Sequence, residues 1–219
     1  GVHIEVISGE EESRLAYLAA KAGLGLNQGS LVVFDTGGGS SQFTFGHDAV
    51  VDERFSVNVG AVSYTERFGL DRAVSPEVLR EAMAAISADL SRIGGRPVPD
   101  ALAGMGGAVT NITAVMHRLA TYDPEVIQGS VLDRAEIDRQ IELYRSLDAD
   151  ERRAIVGLQP KRAEVILAGA CIVRTVMEQL GKDRFTVSDR GLRRLFDRLV
   201  EFDAVRELSG RPTFRIYGL

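Results

Sequence analysis

The sequence predicts an α/β fold, in which a mixed β-sheet packs against helices. Strand-like and helix-like segments alternate along most of the chain, after early strands that follow one another as an antiparallel meander. Two of the predicted strands end in glycine-rich turns. A content of 45% hydrophobic and 26% charged residues in a chain of 219 is typical of a globular protein with one large core or two small ones.

The first elements are a strand, a helix and a second strand. Residues 3–7 alternate weakly, as a strand does. A helix follows, because Ser8 can cap it and the acids Glu10 to Glu12 lie in its first turn, where the helix dipole favours them. The run "LVVFD" (31–35) is apolar up to Asp35, as in a buried strand, and residues 42–60 read as two antiparallel strands joined by a short turn.

Helices dominate the rest of the chain. The segment 61–70 predicts a short helix, and Ser75 with Pro76 predicts the cap and first position of a longer one. A buried central helix is expected over 160–181, opening at Pro160, because residues 165–177 are apolar nearly all round. The remaining predictions are a strand and helix at 101–119, polar helices at 133–147 and 148–158, a strand at 184–189 and a last helix at 190–208.

Charge and cysteine content exclude several classes of function. The net charge of -5 disfavours a general affinity for nucleic acid or for anionic membranes. The single cysteine, Cys171, lies in an apolar run and predicts a buried thiol in a reducing compartment. No leader and no apolar run of membrane-spanning length is present, so we expect a soluble, cytoplasmic protein with neither nucleic acid nor membrane as partner.

The two glycine-rich turns, "VVFDTGGGSS" and "ALAGMGGAVT", are the places that predict chemistry. Glycine permits positive φ and lets an anion approach the backbone amides closely. Neither turn has the lysine of a P-loop, and neither matches a dinucleotide fingerprint. A phosphate-binding hairpin fits the first turn better, with a purely structural tight turn as the alternative. Asp35 would then face phosphate through a cation, and Mg²⁺ held by one carboxylate, phosphate and water is the usual arrangement.

Other reactive side chains predict no site. The histidines His3, His47 and His117 are far apart and lack the spacing of zinc ligands. Ser40 and Ser41 do not form a nucleophile elbow, because no Gly-x-Ser-x-Gly pattern occurs.

Several separated motifs resemble the exopolyphosphatase / guanosine pentaphosphate phosphatase (Ppx/GppA) family. They include "IEVISGEEESRLAYLA", "VFDTGGGSSQFTFG", "AGMGGAVTNITAV", "PKRAEVILAGACIV" and "TVSDRGLRRL", in the family's order. The resemblance implies an actin-like ATPase (ribonuclease H-like) lobe with a mixed five-stranded sheet and helices on both faces. It also implies an N-terminal lobe that is missing here. Residues 1–28 would link from that lobe, residues 29–203 would form the second lobe, and residues 204–219 a C-terminal tail.

The same resemblance implies roles for individual residues. Glu12 matches the carboxylate that activates the attacking water, although an ordinary first-turn acid is the alternative. Asp35 matches a metal-associated aspartate, and Gln42 stands where the family usually has a metal-site glutamate. The implied phosphate-binding residues are Gly37, Gly38, Gly39, Ser40, Ser41, Gly106, Gly107 and Arg193. The alternative for Arg193 is that it lies on an ordinary solvent-exposed helix face and contacts no substrate.

The implied function is a Mg²⁺-dependent phosphoanhydride hydrolase that releases phosphate from inorganic polyphosphate or guanosine pentaphosphate. Two departures from the family pattern favour an alternative, a non-hydrolytic actin-like module that binds nucleotide or polyphosphate. These are Gln42, and Arg194 with Leu195 in place of an acid and a glycine. We expect residues 1–219 alone to be inactive, and the expected partners are the substrate, the missing lobe and a second copy in a homodimer.

Overall fold

The computed structural model describes residues 9–25 and 28–189, together with the short segments 206–207 and 217–218; of residues 9–13 and 16 and of the two short segments it describes the backbone only. The helices and strands in chain order are α1 (Gly9–Gly23), β1 (Ser30–Thr36), β2 (Ser41–His47), β3 (Val50–Val57), α2 (Ala61–Phe68), α3 (Pro76–Asp89), β4 (Ala101–Met105), α4 (Gly106–Met116), α5 (Pro124–Ile127), β5 (Val131–Asp133), α6 (Arg134–Arg145), α7 (Ala149–Arg152), α8 (Ile166–Gln179), β6 (Arg184–Val187), β7 (Arg206–Glu207) and β8 (Tyr217–Gly218).

The main sheet is mixed and its strand order is β3-β2-β1-β4-β6-β5. The first three strands form the predicted antiparallel meander, while β4 runs parallel to β1 and β6 parallel to β4. The predicted α/β class is therefore confirmed, but within the described residues the sheet has six strands instead of five. The additional strand, β5, pairs antiparallel with β6 at the edge and is three residues long, too short to show an alternating pattern in the sequence.

Helices cover both faces of this sheet. On one face, Val32 and Phe34 of β1 join a large core cluster that includes residues of α2, α3, α4, α6 and α8. On the other face, Tyr17 of α1 packs in a smaller cluster with Leu31 and Val33. Successive side chains of a strand point to opposite faces, so Asp35 lies on the α1 face with Leu31 and Val33.

The buried central helix is confirmed, although it begins later than expected. Eleven of the 14 residues of α8 are buried, and Cys171 among them is fully enclosed. Burial raises the pKa of the Cys171 thiol to about 12. Pro160 does not open α8: it begins a separate 3₁₀ turn, Pro160–Arg162, and the helix starts at Ile166. The predicted cap of α3 is confirmed, since the Ser75 side chain accepts a hydrogen bond from the Val78 amide.

Some predicted elements lie outside the described residues or end elsewhere. The strand at 3–7, the Ser8 cap and most of the last helix fall outside the described ranges. At the end of that predicted helix, Arg206 and Glu207 instead form β7, which pairs with β8. The helix expected over 148–158 is confined to α7; the chain leaves the helix after Arg152, and Gly157 beyond it has a φ of +96°. Among the described helices, none has the length and apolarity needed to cross a membrane.

A fully buried arginine ties several loops together. Arg152 is 0% exposed, and its guanidinium donates hydrogen bonds to the carbonyl oxygens of Tyr144 (2.8 Å), Leu70 (2.7 Å), Arg72 (3.0 Å) and Ala163 (3.2 Å). Burial lowers the pKa of this guanidinium. The four carbonyls lie at the end of α6, in the loop after α2 and just before α8. Arg152 therefore fixes the far end of α2 relative to the start of α8.

Candidate functional site

The first glycine-rich turn joins β1 to β2 and is closed by a hydrogen bond from the Gly37 amide to the Ser40 carbonyl (2.9 Å). The strands are in register up to the turn, with Thr36 opposite Ser41 and Asp35 opposite Gln42. Ser41 is completely buried, and its hydroxyl donates to the carbonyl of Val59 (2.7 Å). The Ser41 side chain, which the resemblance places against phosphate, is thus engaged in holding the hairpin.

The N-terminus of α2 binds the carbonyl side of this turn. The amides of Ala61 and Val62 donate to the carbonyls of Gly37 (3.0 Å) and Gly38 (2.9 Å). The approach depends on Gly60, because a Cβ atom at that position would overlap the backbone of Gly38 and Gly39. Two backbones come this close only where one of them has no side chain.

Three amides of the turn remain available as a result. The N–H groups of Gly38, Gly39 and Ser40 donate no hydrogen bond to any part of the chain that the structure describes. The Gly37 amide, in contrast, is used to close the turn. Successive unpaired amides of this kind form a concave site that favours an anion. The predicted phosphate-binding turn therefore offers three backbone donors.

The second glycine-rich turn lies beside the first. Strand β4 passes directly into α4 at Gly106, where φ is +90°. A Cβ atom on Gly106 would overlap Oδ1 of Asp35, so the carboxylate lies against this glycine. The first amides of a helix lack partners within it and carry partial positive charge. The structure thus brings Asp35, Gly106 and Gly107 together with the hairpin turn at the carboxyl edge of the sheet.

Asp35 and Gln42 are the two predicted metal-site residues, and they are neighbours. They face each other across β1 and β2, both are exposed, and directly opposed residues have Cβ atoms about 5 Å apart. A carboxylate and an amide carbonyl are hard oxygen ligands of the kind Mg²⁺ accepts together with phosphate and water. The pair fits such an ion. Within residues 9–25 and 28–189, no group of three or more His, Cys, Asp or Glu side chains could hold a metal.

Arg162 is a functional candidate that the sequence pattern does not single out. A Cβ atom on Gly107 would lie 2.6 Å from Nη2 and 2.7 Å from Cζ of Arg162, so the guanidinium rests on the first turn of α4. It also lines a small pocket with Thr36, Gly37 and Ala61. Among the described residues the guanidinium has neither a hydrogen-bond acceptor nor an ion-pair partner. A positive charge that has no counterion within the described part of the chain therefore lies against the second turn and beside the first.

Two predicted residues are only partly placed or lie outside the described ranges. Glu12 belongs to the first turn of α1, whose later residues pack on the sheet face that carries Asp35 and Gln42, but its side chain is not among those described. Arg193 lies beyond the described residues.

Packing requires a glycine at position 104 of the second turn's strand, since a Cβ atom there would lie 2.6 Å from Phe185 and 2.8 Å from Phe34. Of the histidines, His47 bonds Asp52 (2.8 Å) and His117 bonds Ser130 (2.9 Å).

Comparison with known proteins decides the family. The family model described as "Ppx/GppA phosphatase family" matches residues 1–197 of this chain. The chain belongs to the Ppx/GppA phosphatase family. Exopolyphosphatase 2 of Mycobacterium tuberculosis is 31% identical over 88% of the chain and 62% of that protein. The guanosine-5'-triphosphate,3'-diphosphate pyrophosphatase of Vibrio campbellii is also 31% identical, over 88% of the chain and 38% of that protein.

A solved Ppx/GppA structure shows the same fold. The crystal structure of the Aquifex aeolicus Ppx/GppA phosphatase, type II variant, superposes with a TM-score of 0.80 at 34% identity. The match covers 86% of this chain and 62% of the Aquifex chain. The actin-like fold implied by the resemblance is confirmed. The chain spans less than two thirds of the length of each of these three Ppx/GppA relatives.

The close approach of Gly60 to the turn gives a first prediction. Gly60 has φ -137° and ψ 152°, which alanine adopts freely, so Gly60→Ala acts only through the added methyl group. The methyl would push the Gly38 and Gly39 backbone away from α2 and misalign the free amides. We expect the affinity of the full-length protein for inorganic triphosphate, measured by calorimetry with Mg²⁺, to fall at least about tenfold.

The control for this experiment lies at the other end of the same helix. Gly69 has φ +63°, so Gly69→Ala should cost about 1 kcal/mol of stability, seen in thermal unfolding, without moving the turn. Wild-type affinity in Gly60→Ala, or an equal loss in both variants, would contradict the role given to α2.

Proposed function

We propose that this chain forms part of a Mg²⁺-dependent phosphoanhydride hydrolase that releases phosphate from inorganic polyphosphate or from guanosine pentaphosphate. Membership of the Ppx/GppA phosphatase family supports the reaction class. The observation that carries the proposal is the convergence of unpaired donors. The free amides of residues 38–40 belong to the first turn, the N-terminus of α4 lies against Asp35 at Gly106, and the Arg162 guanidinium rests on Gly107 and lines a small pocket with Thr36 and Gly37 at the start of that turn.

The charges of the site suit a terminal phosphate group. Its oxygens would accept hydrogen bonds from Gly38, Gly39 and Ser40, and Arg162 would balance part of their negative charge. Phosphoryl transfer requires little covalent participation by the protein, so fixed donors and positive charge account for most of the catalysis. Asp35 has the same sign as phosphate and would repel it unless a cation lay between them. Mg²⁺ bound by Asp35 and Gln42 would supply that cation and neutralise charge on the leaving group.

Glu12 is our proposed general base. It would orient a water molecule in line with the terminal phosphorus and accept its proton as the new P–O bond forms. The anhydride bond to the rest of the substrate then breaks, and that part leaves as a phosphate end. The proposal is supported by the position of α1 on the face that carries Asp35 and Gln42.

The two substrates share the group that this site would bind. The names of the Mycobacterium and Vibrio relatives point to polyphosphate and to a guanosine polyphosphate, respectively. Both end in a phosphoanhydride, and the residues assembled here offer contacts to phosphate oxygens only. Both substrates therefore stay within the proposal. The proposal also includes a cytoplasmic location, an N-terminal lobe, a homodimer and the inactivity of residues 1–219 alone.

A second candidate function is a non-hydrolytic module that binds nucleotide or polyphosphate. Gln42 favours it, because an amide opposite Asp35 leaves a single carboxylate in this cross-strand pair. Phosphate release by the full-length protein from either substrate would exclude this candidate, whereas binding without turnover would support it.

The metal role of Asp35 gives the test of the proposed function. In the full-length protein, Asp35→Asn should lower the rate of phosphate release by at least about 100-fold, because the cation between carboxylate and phosphate is lost. Asp52→Asn is the matched control, since Asp52 is an exposed strand residue that bonds His47 rather than the turn. Undiminished phosphate release by Asp35→Asn would overturn the assignment.

Position 42 gives a second test in the same assay. Gln42→Glu adds a hard anionic oxygen opposite Asp35, and Mg²⁺ prefers such oxygens to an amide carbonyl. We expect a magnesium titration of phosphate release to reach half-maximum at lower Mg²⁺, with a higher plateau rate. A lower affinity for substrate would mean that position 42 suits another ligand. An identical titration curve would place Gln42 outside the chemistry.

A further inference from the structure

A buried amide side chain connects the turn before α8 to the first turn of α4. Asn111 is 2% exposed and lies four residues after Gly107. Its Nδ2 donates to the Gly107 carbonyl (2.8 Å), and its Oδ1 accepts from the Gln159 amide (2.9 Å). One partner is an acceptor and the other a donor. Only a side chain with both a donor and an acceptor satisfies the two, which fixes the orientation of the amide.

The Gln159 amide leads directly to Arg162. The Arg162 amide donates to the Gln159 carbonyl (2.8 Å), which closes the 3₁₀ turn Pro160–Arg162. On the other side of that turn, the Ala163 carbonyl accepts from buried Arg152 (3.2 Å). The short turn that carries Arg162 is therefore fastened on both sides, to α4 by Asn111 and to the end of α6 by Arg152.

This fastening matters because the Arg162 guanidinium has no protein partner of its own among the described residues. Without a partner to hold its far end, the guanidinium takes its position from the backbone at which the side chain starts and from the surface on which it rests. The guanidinium rests on Gly107, the residue whose carbonyl Asn111 holds. The Asn111 side chain thus fixes the N-terminus of α4 relative to the turn from which the Arg162 side chain starts.

We infer that Asn111 is a positioning residue that holds Arg162 over the N-terminus of α4, so that the guanidinium and the helix amides act on the same phosphate. The identity of the ligand rests on the proposed function. The alternative is that Asn111 is a buried amide satisfied for stability alone, with no influence on the ligand.

A double-mutant cycle separates these alternatives. The variants are Asn111→Leu, Arg162→Met and their combination in the full-length protein, with inorganic triphosphate affinity and phosphate release both measured. Each single variant should weaken triphosphate binding about tenfold or more, and the double variant should be no weaker than Arg162→Met. Thr113→Val is the matched control, because Thr113 is fully buried in α4 and its hydroxyl donates to Val109 (2.8 Å), away from the turn. It should leave affinity unchanged.

A second variant removes the same contact from the other side. Gln159 has φ -65° and ψ 126°, which proline adopts, so Gln159→Pro deletes the donor to Asn111 without touching α4. It should reproduce the loss of affinity seen in Asn111→Leu, and it serves as the test if Asn111→Leu does not fold.

The outcomes distinguish this inference from the proposed function. Additive losses in the cycle, or an Asn111→Leu variant that binds triphosphate like Thr113→Val, would overturn the positioning role even if the wild type hydrolyses substrate. A wild type that binds triphosphate without releasing phosphate would overturn the hydrolase proposal. Non-additive losses of affinity would in that case still support the role of Asn111.

Discussion

The site depends on the two hydrogen bonds by which the N-terminus of α2 holds the carbonyls of Gly37 and Gly38. In a peptide unit the carbonyl and the N–H point in opposite directions. Binding the Gly37 and Gly38 carbonyls to α2 therefore directs the amides of Gly38 and Gly39, which share peptide units with them, away from that helix. The same bonds satisfy donors that a helix start would otherwise leave unpaired. The arrangement requires the absence of a side chain at Gly60, where the backbones meet.

Hydrogen-bond donors and positive charge are concentrated at this edge of the sheet, because three elements meet there. The hairpin contributes amides, α4 contributes the positive end of its dipole, and the 3₁₀ turn contributes Arg162. Hydrogen bonds to charged groups contribute about 1.5–3 kcal/mol each, about twice a neutral bond, so preorganised donors favour an anion over water. Asp35 brings a negative charge to this group, because its carboxylate lies against Gly106. Its sign is the physical reason to expect a cation between it and phosphate.

The sequence predicted features that depend on local pattern. The α/β class, the Ser75 cap and the buried α8 follow from periodicity and capping, whereas Asp35 and Gln42 were selected by the resemblance and their cross-strand pairing is a finding of the structure. Strand β5 was missed because three residues carry no periodic signal. Arg162 was missed because its role depends on Asn111 and Arg152, which lie 51 and 10 positions away in sequence. Its one signal was a basic pair, Lys161 and Arg162, just before an apolar helix, and such a pair is equally typical of a solvated turn.

The central claim is that the free amides of the first turn bind phosphate. It is tested most directly by following backbone amide resonances of the ¹⁵N-labelled full-length protein during a titration with inorganic triphosphate and Mg²⁺. The account predicts downfield proton shifts for Gly38, Gly39 and Ser40 with saturation at a common affinity, while the Gly37 amide, already bonded to Ser40, moves less. Saturable binding that shifts amides elsewhere and leaves residues 38–40 unchanged would contradict it.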